Sequence, residues 1–178
     1  MGHTDLYKLN LKSLSQGVHE FVFNLTDSYF SQIEGSQILG GDIEVRIGLE
    51  KSGETHKLEL IYEGYALVSC DRCLGSLEED VYLERDIVVK YGLEYAEEDD
   101  VVILPERQGV LDLSWMLYED VVLSLPLQRL HDEGDCDSEM MSLYSRLQTS
   151  EVHDADDIER DEDGMDQRWA ALKQLKKD

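Results

Sequence analysis

The chain has 178 residues, which is enough for one domain with a hydrophobic core and leaves little room for a second. Its formal net charge of −24, from 40 Asp and Glu against 16 Lys and Arg, makes free nucleic acid an unfavourable partner because phosphates are repelled at long range. Three cysteines, an odd number, argue against a disulfide framework.

Apolar residues that alternate with polar ones predict an antiparallel sheet in the N-terminal half. Two opening strands are expected, at 6–11 and 18–25. A short helix follows, for which Asp27 is the expected N-cap and Gly35 the expected left-handed end.

Three longer segments with the same alternation come next, at 41–50, 57–70 and 77–91. The turn-forming residues 51–54 join the first two as a hairpin. Each segment has one apolar side and one charged side, so we expect three consecutive antiparallel strands at the centre of the fold, with one face in solvent.

The next part of the chain contains an acidic connector and a helix. Residues 94–100 hold five carboxylates and are expected to form a solvated loop, which a short apolar run at 101–104 follows. Asp112 is the expected N-cap of a helix that Pro126 stops. Trp115 widens the apolar face of this helix, which therefore should pack against the sheet.

The predicted fold class is α+β, mainly an antiparallel β-sheet with a few packed helices and an acidic C-terminal tail. Whether the sheet closes into a barrel is left open, because strand tilt and shear do not show in a linear pattern. We expect a β-rich domain over 1–145, an acidic disordered linker over 146–166 and a basic amphipathic helix over 167–178.

The terminal helix is the predicted partner-binding segment. Its apolar stripe and its cations, which gather at the C-terminal end as the helix dipole favours, are typical of a peptide that docks on another molecule. The candidate contact residues are Arg168, Trp169, Leu172, Lys173 and Lys176.

A C-x2-C motif, Cys70 and Cys73, lies between two of the long strands. This spacing lets a tight turn direct two thiolates at one tetrahedral ion. His131 and Cys136 would complete a Cys3His set and attach a remote segment to the hairpin. The predicted cofactor is one structural zinc ion.

Two other interpretations of the cysteines stay open. Cys70 ends an apolar strand and could simply be buried, and a single C-x2-C also serves redox chemistry in other folds. Redox chemistry has the weaker basis, because the βαβ context of a thioredoxin-like motif is missing.

The residues favour no catalytic mechanism. No Gly-rich phosphate loop and no Gly-x-Ser-x-Gly turn occurs in the sequence. Carboxylates are so frequent that any two lie close by chance; Asp112 with Glu119, for example, is better explained as a cap and a solvated helix position. We therefore expect that the protein is not an enzyme.

No stretch approaches the ~18 consecutive apolar residues of a membrane span, and the first residues lack the layout of a secretion signal. We therefore expect a cytoplasmic protein with no membrane partner.

Several motifs, in order along the chain, are similar to one family. They are Cys70-Asp71-Arg72-Cys73-Leu74, Gly109-Val110-Leu111-Asp112-Leu113, Glu119-Asp120, Leu123-Ser124-Leu125-Pro126-Leu127, His131, Cys136 and the closing Gln167-Arg168-Trp169-Ala170-Ala171-Leu172-Lys173. On these residues the chain resembles the YceD family of large ribosomal RNA subunit accumulation proteins. The resemblance implies a role in the accumulation or processing of large-subunit ribosomal RNA, without a demonstrated catalytic site.

Together, charge and resemblance predict an accessory factor in large ribosomal subunit biogenesis that acts through protein–protein contacts. The expected partner is a basic ribosomal protein or rRNA-processing factor, drawn in by an attraction that salt screens. One alternative is a zinc-stabilised thiol or redox protein that uses Cys70 and Cys73. Another is a direct RNA-binding protein, for which the only dense basic cluster is Lys173, Lys176 and Lys177.

Overall fold

The computed structural model describes residues 6–147. These residues divide between two compact units, 6–137 and 138–147. The predicted partner-binding segment, with Arg168, Trp169, Leu172, Lys173 and Lys176, lies outside the described residues, and so does most of the predicted acidic linker. The predicted boundaries between the linker at 146–166 and the terminal helix at 167–178 therefore stay predictions.

The first unit is built mainly from strands. Its strands are β1 Lys8–Asn10, β2 Gly17–Thr26, β3 Ile38–Ser52, β4 Thr55–Ser69, β5 Ser76–Gly92, β6 Ala96–Glu98, β7 Val101–Pro105 and β8 Val110–Asp112. Its helices are α1 Asp27–Phe30 and α2 Ser114–Ser124, and a 3-10 turn covers Leu11–Ser13. The second unit contains helix α3, Ser138–Leu147, which is not among the elements predicted from the sequence.

Six strands form one sheet in the order β2-β3-β4-β5-β7-β6. The strands β2 to β5 are an antiparallel meander, as the alternating sequence predicts, and Val45, Tyr62 and Leu83 lie side by side on β3, β4 and β5. The sheet is open, with β2 and β6 at its edges, while β1 and β8 form a separate antiparallel pair. The fold is therefore α+β with a mainly antiparallel sheet, and the described strands do not close into a barrel.

The far edge of the sheet differs from the prediction. The residues 94–100 do not form only a loop, because β6 lies within them and pairs with β7. β7 in turn runs parallel to β5, with Val89 beside Val102. Glu97 and Glu98 stay exposed on β6, and charged side chains are well tolerated on an edge strand because they discourage further pairing.

Both predicted N-caps are wrong in detail. Thr26, not Asp27, occupies the cap position of α1, and the Asp27 carboxylate instead accepts a hydrogen bond from the Gly41 N–H at 2.8 Å. Leu113 occupies the cap position of α2. Asp112 belongs to β8, and its Oδ1 accepts from the N–H of Ser114 at 2.9 Å. The donor to Asp27 lies 14 residues away and is not revealed by local sequence, whereas the bond to Asp112 is a local contact with the second residue after it.

In the first unit, the core lies between one face of the sheet and the helices α1 and α2. Leu117 and Val121 of α2 are fully buried in the same cluster as Tyr62 of β4 and Phe30 of α1, which confirms that α2 packs on the sheet. Trp115 departs from the prediction: it projects from α2 with 59% of its surface exposed. Within residues 6–147, none of the helices is long and apolar enough to cross a membrane.

Candidate metal centre

The C-x2-C motif forms the turn between β4 and β5. The turn is closed by two backbone hydrogen bonds, from the Cys70 N–H to the Gly75 carbonyl at 2.8 Å and from the Leu74 N–H to the Cys70 carbonyl at 2.9 Å. Leu74 has a φ of +61°, a left-handed conformation that is uncommon for a residue with a side chain. The long antiparallel pair thus holds Cys70 and Cys73 at one end of a rigid hairpin.

The remote segment after α2 is attached to this turn through Asp71 and Arg129. The Asp71 N–H donates to the Arg129 carbonyl at 2.8 Å, and the Arg129 N–H donates to Asp71 Oδ2 at 2.8 Å. The Arg129 guanidinium also contacts Asp71 Oδ1 at 3.4 Å. This reciprocal contact places the following loop, with His131 and Cys136, against the two cysteines.

The four predicted ligand residues come together. The sulfur atoms of Cys70, Cys73 and Cys136 and one ring nitrogen of His131 all lie within 4.8 Å of one another. His131 Nδ1 is 3.3 Å from Cys73 Sγ and 3.9 Å from Cys136 Sγ. Cys70 and Cys73 are buried, whereas His131 and Cys136 are half-buried.

The orientation of His131 is set by a backbone carbonyl. Its Nε2 lies 3.0 Å from the carbonyl oxygen of Ser76, which can only accept, so Nε2 carries the proton. In its neutral form the ring therefore presents the Nδ1 lone pair to the three sulfurs. A second hydrogen bond of this kind, which fixes tautomer and ring angle, is typical of histidines that bind metals.

The surroundings of the two buried thiols favour thiolate. Burial raises the pKa of Cys70, but backbone N–H groups of Cys73, His131 and Arg72 outweigh it and lower that pKa to about 6. Backbone N–H groups of Asp137 and Gly75 lower the pKa of Cys73. Donors from the turn and from the remote loop thus converge on the sulfurs.

For the other two ligand residues, His131 and Cys136, the pKa is raised and not lowered. The Ser76 carbonyl and then Cys73 raise the pKa of His131, while burial raises the pKa of Cys136 to about 11. The site therefore contains two sulfurs that favour the thiolate form, a third thiol and an imidazole. A bound cation would balance the negative charge of the two thiolates.

The residues fit a tetrahedral ion. Zn–S bonds near 2.3 Å place sulfur ligands about 3.8 Å apart in a tetrahedron, and the four ligand atoms of this cluster all lie within 4.8 Å of one another. Three sulfurs and one imidazole nitrogen are also a donor set that zinc prefers in structural sites. The cluster is therefore arranged to bind a metal ion without large rearrangement.

Sequence reasoning missed the residues that support the cluster. Neither the Asp71–Arg129 contact nor the Ser76 carbonyl was anticipated, because backbone partners leave no mark in side-chain identity. It also missed the buried pair formed by Arg85 of β5 and Asp120 of α2. A charged residue on the apolar side of each element was the signal that could have revealed that pair.

The fold and the cluster define a class of protein: an open-sheet α+β domain in which a Cys3His set joins a hairpin turn to a remote loop. The family model described as Large ribosomal RNA subunit accumulation protein YceD matches residues 58–176, well over half of the chain and including all four ligand residues. The chain belongs to the YceD family, as its motifs indicated. Membership implies a role in large ribosomal RNA subunit accumulation, in a family not known to be catalytic. No significant match was found among curated proteins or among solved structures.

Proposed function

We propose that this protein is a non-catalytic accessory factor in large ribosomal subunit biogenesis, which supports accumulation of large-subunit rRNA by binding a basic ribosomal protein or processing factor. The observation that carries the proposal is the family match over residues 58–176. The net charge of −24 supports a protein partner over naked RNA, because it attracts cationic surfaces and repels phosphates.

Many of the acidic side chains lie on the solvent-exposed face of the sheet. Strands β2 to β5 expose ten carboxylates against three cations, and one cation, Arg46, is paired with Glu44 and Glu63. The ten are Glu20, Asp42, Glu44, Glu50, Glu59, Glu63, Glu78, Asp80, Glu84 and Asp86. A field of one sign over such a face speeds encounter with a basic partner and weakens as salt is added.

Zinc is the metal that the proposal assigns to the cluster. Cys70, Cys73, His131 and Cys136 would hold it, and it would supply a structural crosslink between the hairpin and the loop after α2. With all four positions filled by protein atoms, no position stays open for a substrate or an activated water. This is the ligation expected of a structural site and not of a hydrolytic one.

The role can be tested in cells and in lysate. Cells that lack the chain should contain less large-subunit rRNA relative to small-subunit rRNA, and the wild-type chain should restore the ratio. Tagged full-length protein should recover large-subunit proteins at low salt and lose them as salt rises. Normal rRNA ratios in cells without the chain would refute the role, and recovery of bare rRNA alone would favour direct RNA binding.

A thiol or redox function is the second candidate, and the lowered pKa of Cys70, about 6, favours it. Thiol titration and metal analysis of the purified protein distinguish a structural zinc site from a redox function. One zinc per chain with slowly reacting thiols supports the structural site. Two fast thiols without metal support redox chemistry.

A further inference from the structure

Two cavities flank Trp115 at the first turn of α2. One, of about 340 Å³, is lined by Tyr7, Tyr29, Ile33 and Trp115 among others. The second, of about 350 Å³, shares Ile33 and Trp115 and continues along the helix to Leu123. Together they form one groove, which we call the Trp115 groove, between α2 and the connection from α1 to β3.

The walls of the groove are held in place by hydrogen bonds. The Tyr29 hydroxyl donates to the Ser114 carbonyl at 2.7 Å, which ties α1 to the start of α2. The Gln37 N–H donates to the Tyr118 hydroxyl at 2.9 Å, and the Tyr118 ring lies 5.4 Å from the Trp115 ring. A preformed groove loses little conformational freedom when a ligand enters, which favours binding.

The groove combines an apolar floor with an acidic rim. Trp115 is 59% exposed and Leu123 is 81% exposed, which is unusual for large apolar side chains on one helix face. Glu34 and Glu119 border the groove, and among residues 6–147 no lysine or arginine lines either cavity. An exposed tryptophan at the centre of such a surface is typical of a binding hot spot.

We propose that the Trp115 groove is where this protein binds its partner, and that the occupant is an amphipathic segment of a basic protein. Aliphatic side chains of the segment enter the cavities on both sides of Trp115, and its lysines or arginines pair with Glu34 and Glu119. This inference rests on the proposed function, since it locates the protein contact which that function requires.

Charge complementarity selects this occupant. A neutral apolar segment would leave Glu34 and Glu119 beside a desolvated contact without a counter-charge, which is costly. An acidic segment would be repelled by them and by the net charge of −24. Trp115 and Leu123 are eight residues apart and so span about 12 Å of helix, a length that two turns of a partner helix can cover.

The test uses full-length protein in which tryptophan is replaced by 5-fluorotryptophan. The chain has two tryptophans, so Trp115→Phe and Trp169→Phe assign the two fluorine resonances. The probe is the total protein of purified large ribosomal subunits, freed of rRNA. Since only this chain carries fluorine, the Trp115 resonance reports on the groove even in a mixture. We expect it to shift on addition of the probe at low salt and to return as salt is raised.

Two groove variants and a matched control locate the contact. Trp115→Ala and Leu123→Ala should each weaken binding of the probe by about 10-fold or more, as expected for a hot-spot side chain. Leu123 is the safer variant for folding, because most of its surface is in solvent. The control is Tyr82→Ala with Glu84→Gln, an exposed aromatic and an acid on the open face of the sheet. It should change binding less than 2-fold, on the order of a neutral contact outside a hot spot.

The remaining outcomes overturn the inference in distinguishable ways. Binding that survives the groove variants and is lost in the Tyr82 control places the partner on the sheet, and the proposed function stands. A Trp115 resonance that changes with protein concentration assigns the groove to a second copy. A change in that resonance on deletion of 167–178 assigns it to the chain's own terminal segment. A shift caused by bare rRNA alone contradicts a protein occupant, and absence of any binding by the wild type refutes the proposed function as well.

Discussion

Arg85 of β5 forms an ion pair with Asp120 of α2, and Asp120 is buried while Arg85 keeps 23% of its side chain exposed. The Tyr62 hydroxyl donates to the other oxygen of the same carboxylate. Burial raises the pKa of Tyr62, and the Asp120 charge raises it further, so the hydroxyl remains a donor throughout the physiological range. One carboxylate therefore joins the helix to two strands of the sheet.

Replacing Asp120 with Ala should destabilise the fold strongly. The substitution leaves the Arg85 guanidinium and the buried Tyr62 hydroxyl without their acceptor, and removal of one partner from a buried ion pair costs about 3 to 5 kcal/mol. Urea unfolding of the metal-loaded protein would measure the loss. The neighbouring Glu119→Gln is the control and should change the unfolding free energy by less than about 0.5 kcal/mol. Equal effects of the two substitutions would contradict this role for Asp120.

Loss of a single ligand should abolish stoichiometric metal binding. Wild-type protein prepared with zinc should contain about one zinc per chain, and Cys73→Ser or His131→Ala should contain less than about 0.1, because an incomplete set of ligands binds weakly. Elemental analysis of the purified proteins is the measurement. His19→Ala serves as control, since His19 on β2 is outside the cluster. Full zinc content in the His131 variant would exclude the Cys3His site.

Asp71 should act on the metal through the position of the loop and not as a ligand. Asp71→Ala removes the acceptor of the Arg129 N–H and so loosens the segment that carries His131 and Cys136. Substitutions in the supporting shell of a metal site typically lower affinity about 10- to 100-fold, and the lower end is expected here because the backbone bond from the Asp71 N–H remains. Competition with a chromophoric chelator gives the affinity. Asp132→Ala, an exposed acid in the same loop, should leave it unchanged.

His56 should make the fold less stable in mild acid. It is fully buried beside the Tyr91 ring, and burial, followed by the charge of Lys51, lowers its pKa, although the carbonyls of Leu11 and Val89 partly oppose this. Since the unfolded chain then binds a proton more readily, this contribution to stability is complete above pH ~6.5 and declines as the pH falls towards the folded-state pKa.

The comparison with His56→Phe isolates that contribution. Between pH 7 and 5 the variant should lose stability less steeply than the wild type, by at most about 1.4 kcal/mol per pH unit for one proton. Denaturant unfolding of both proteins at each pH is the measurement, and the titration of the metal cluster is common to both. Parallel curves would show that His56 does not titrate in this range.

Two glycines in neighbouring strands should respond oppositely to alanine. Gly64 has a φ of +153°, and a Cβ there would lie 2.1 Å from the Asp42 carbonyl oxygen. Gly64→Ala should therefore cost more than about 2 kcal/mol of unfolding free energy. Gly48→Ala meets nothing nearer than 3.8 Å and should be neutral or stabilising by up to about 1 kcal/mol. Thermal unfolding of the pair tests both statements at once.

The central strands were predictable because their information is local. Side chains alternate across a strand with a period of two, so Ile43, Val45 and Ile47 indicate a buried face without knowledge of the neighbours. The position of β6 and the parallel pairing of β5 with β7 were not predictable in this way. They depend on which backbone groups meet across the sheet, and every residue except proline carries the same backbone donor and acceptor.

The types of ligand in the Cys3His cluster and the negative sign of the protein's electrostatic field follow from composition and motif alone. Thiols, imidazole and net charge are properties of the residue types. Cys73 and His131 are 58 residues apart, however, and only the folded chain brings Nδ1 to within 3.3 Å of the sulfur and gives Nε2 to the Ser76 carbonyl. The exposure of Trp115 was likewise decided by tertiary packing, which buries Leu117 and Val121 and leaves the other side of α2 in solvent. Local patterns specify which side chains can bind, whereas long-range hydrogen bonds and packing specify where their atoms lie.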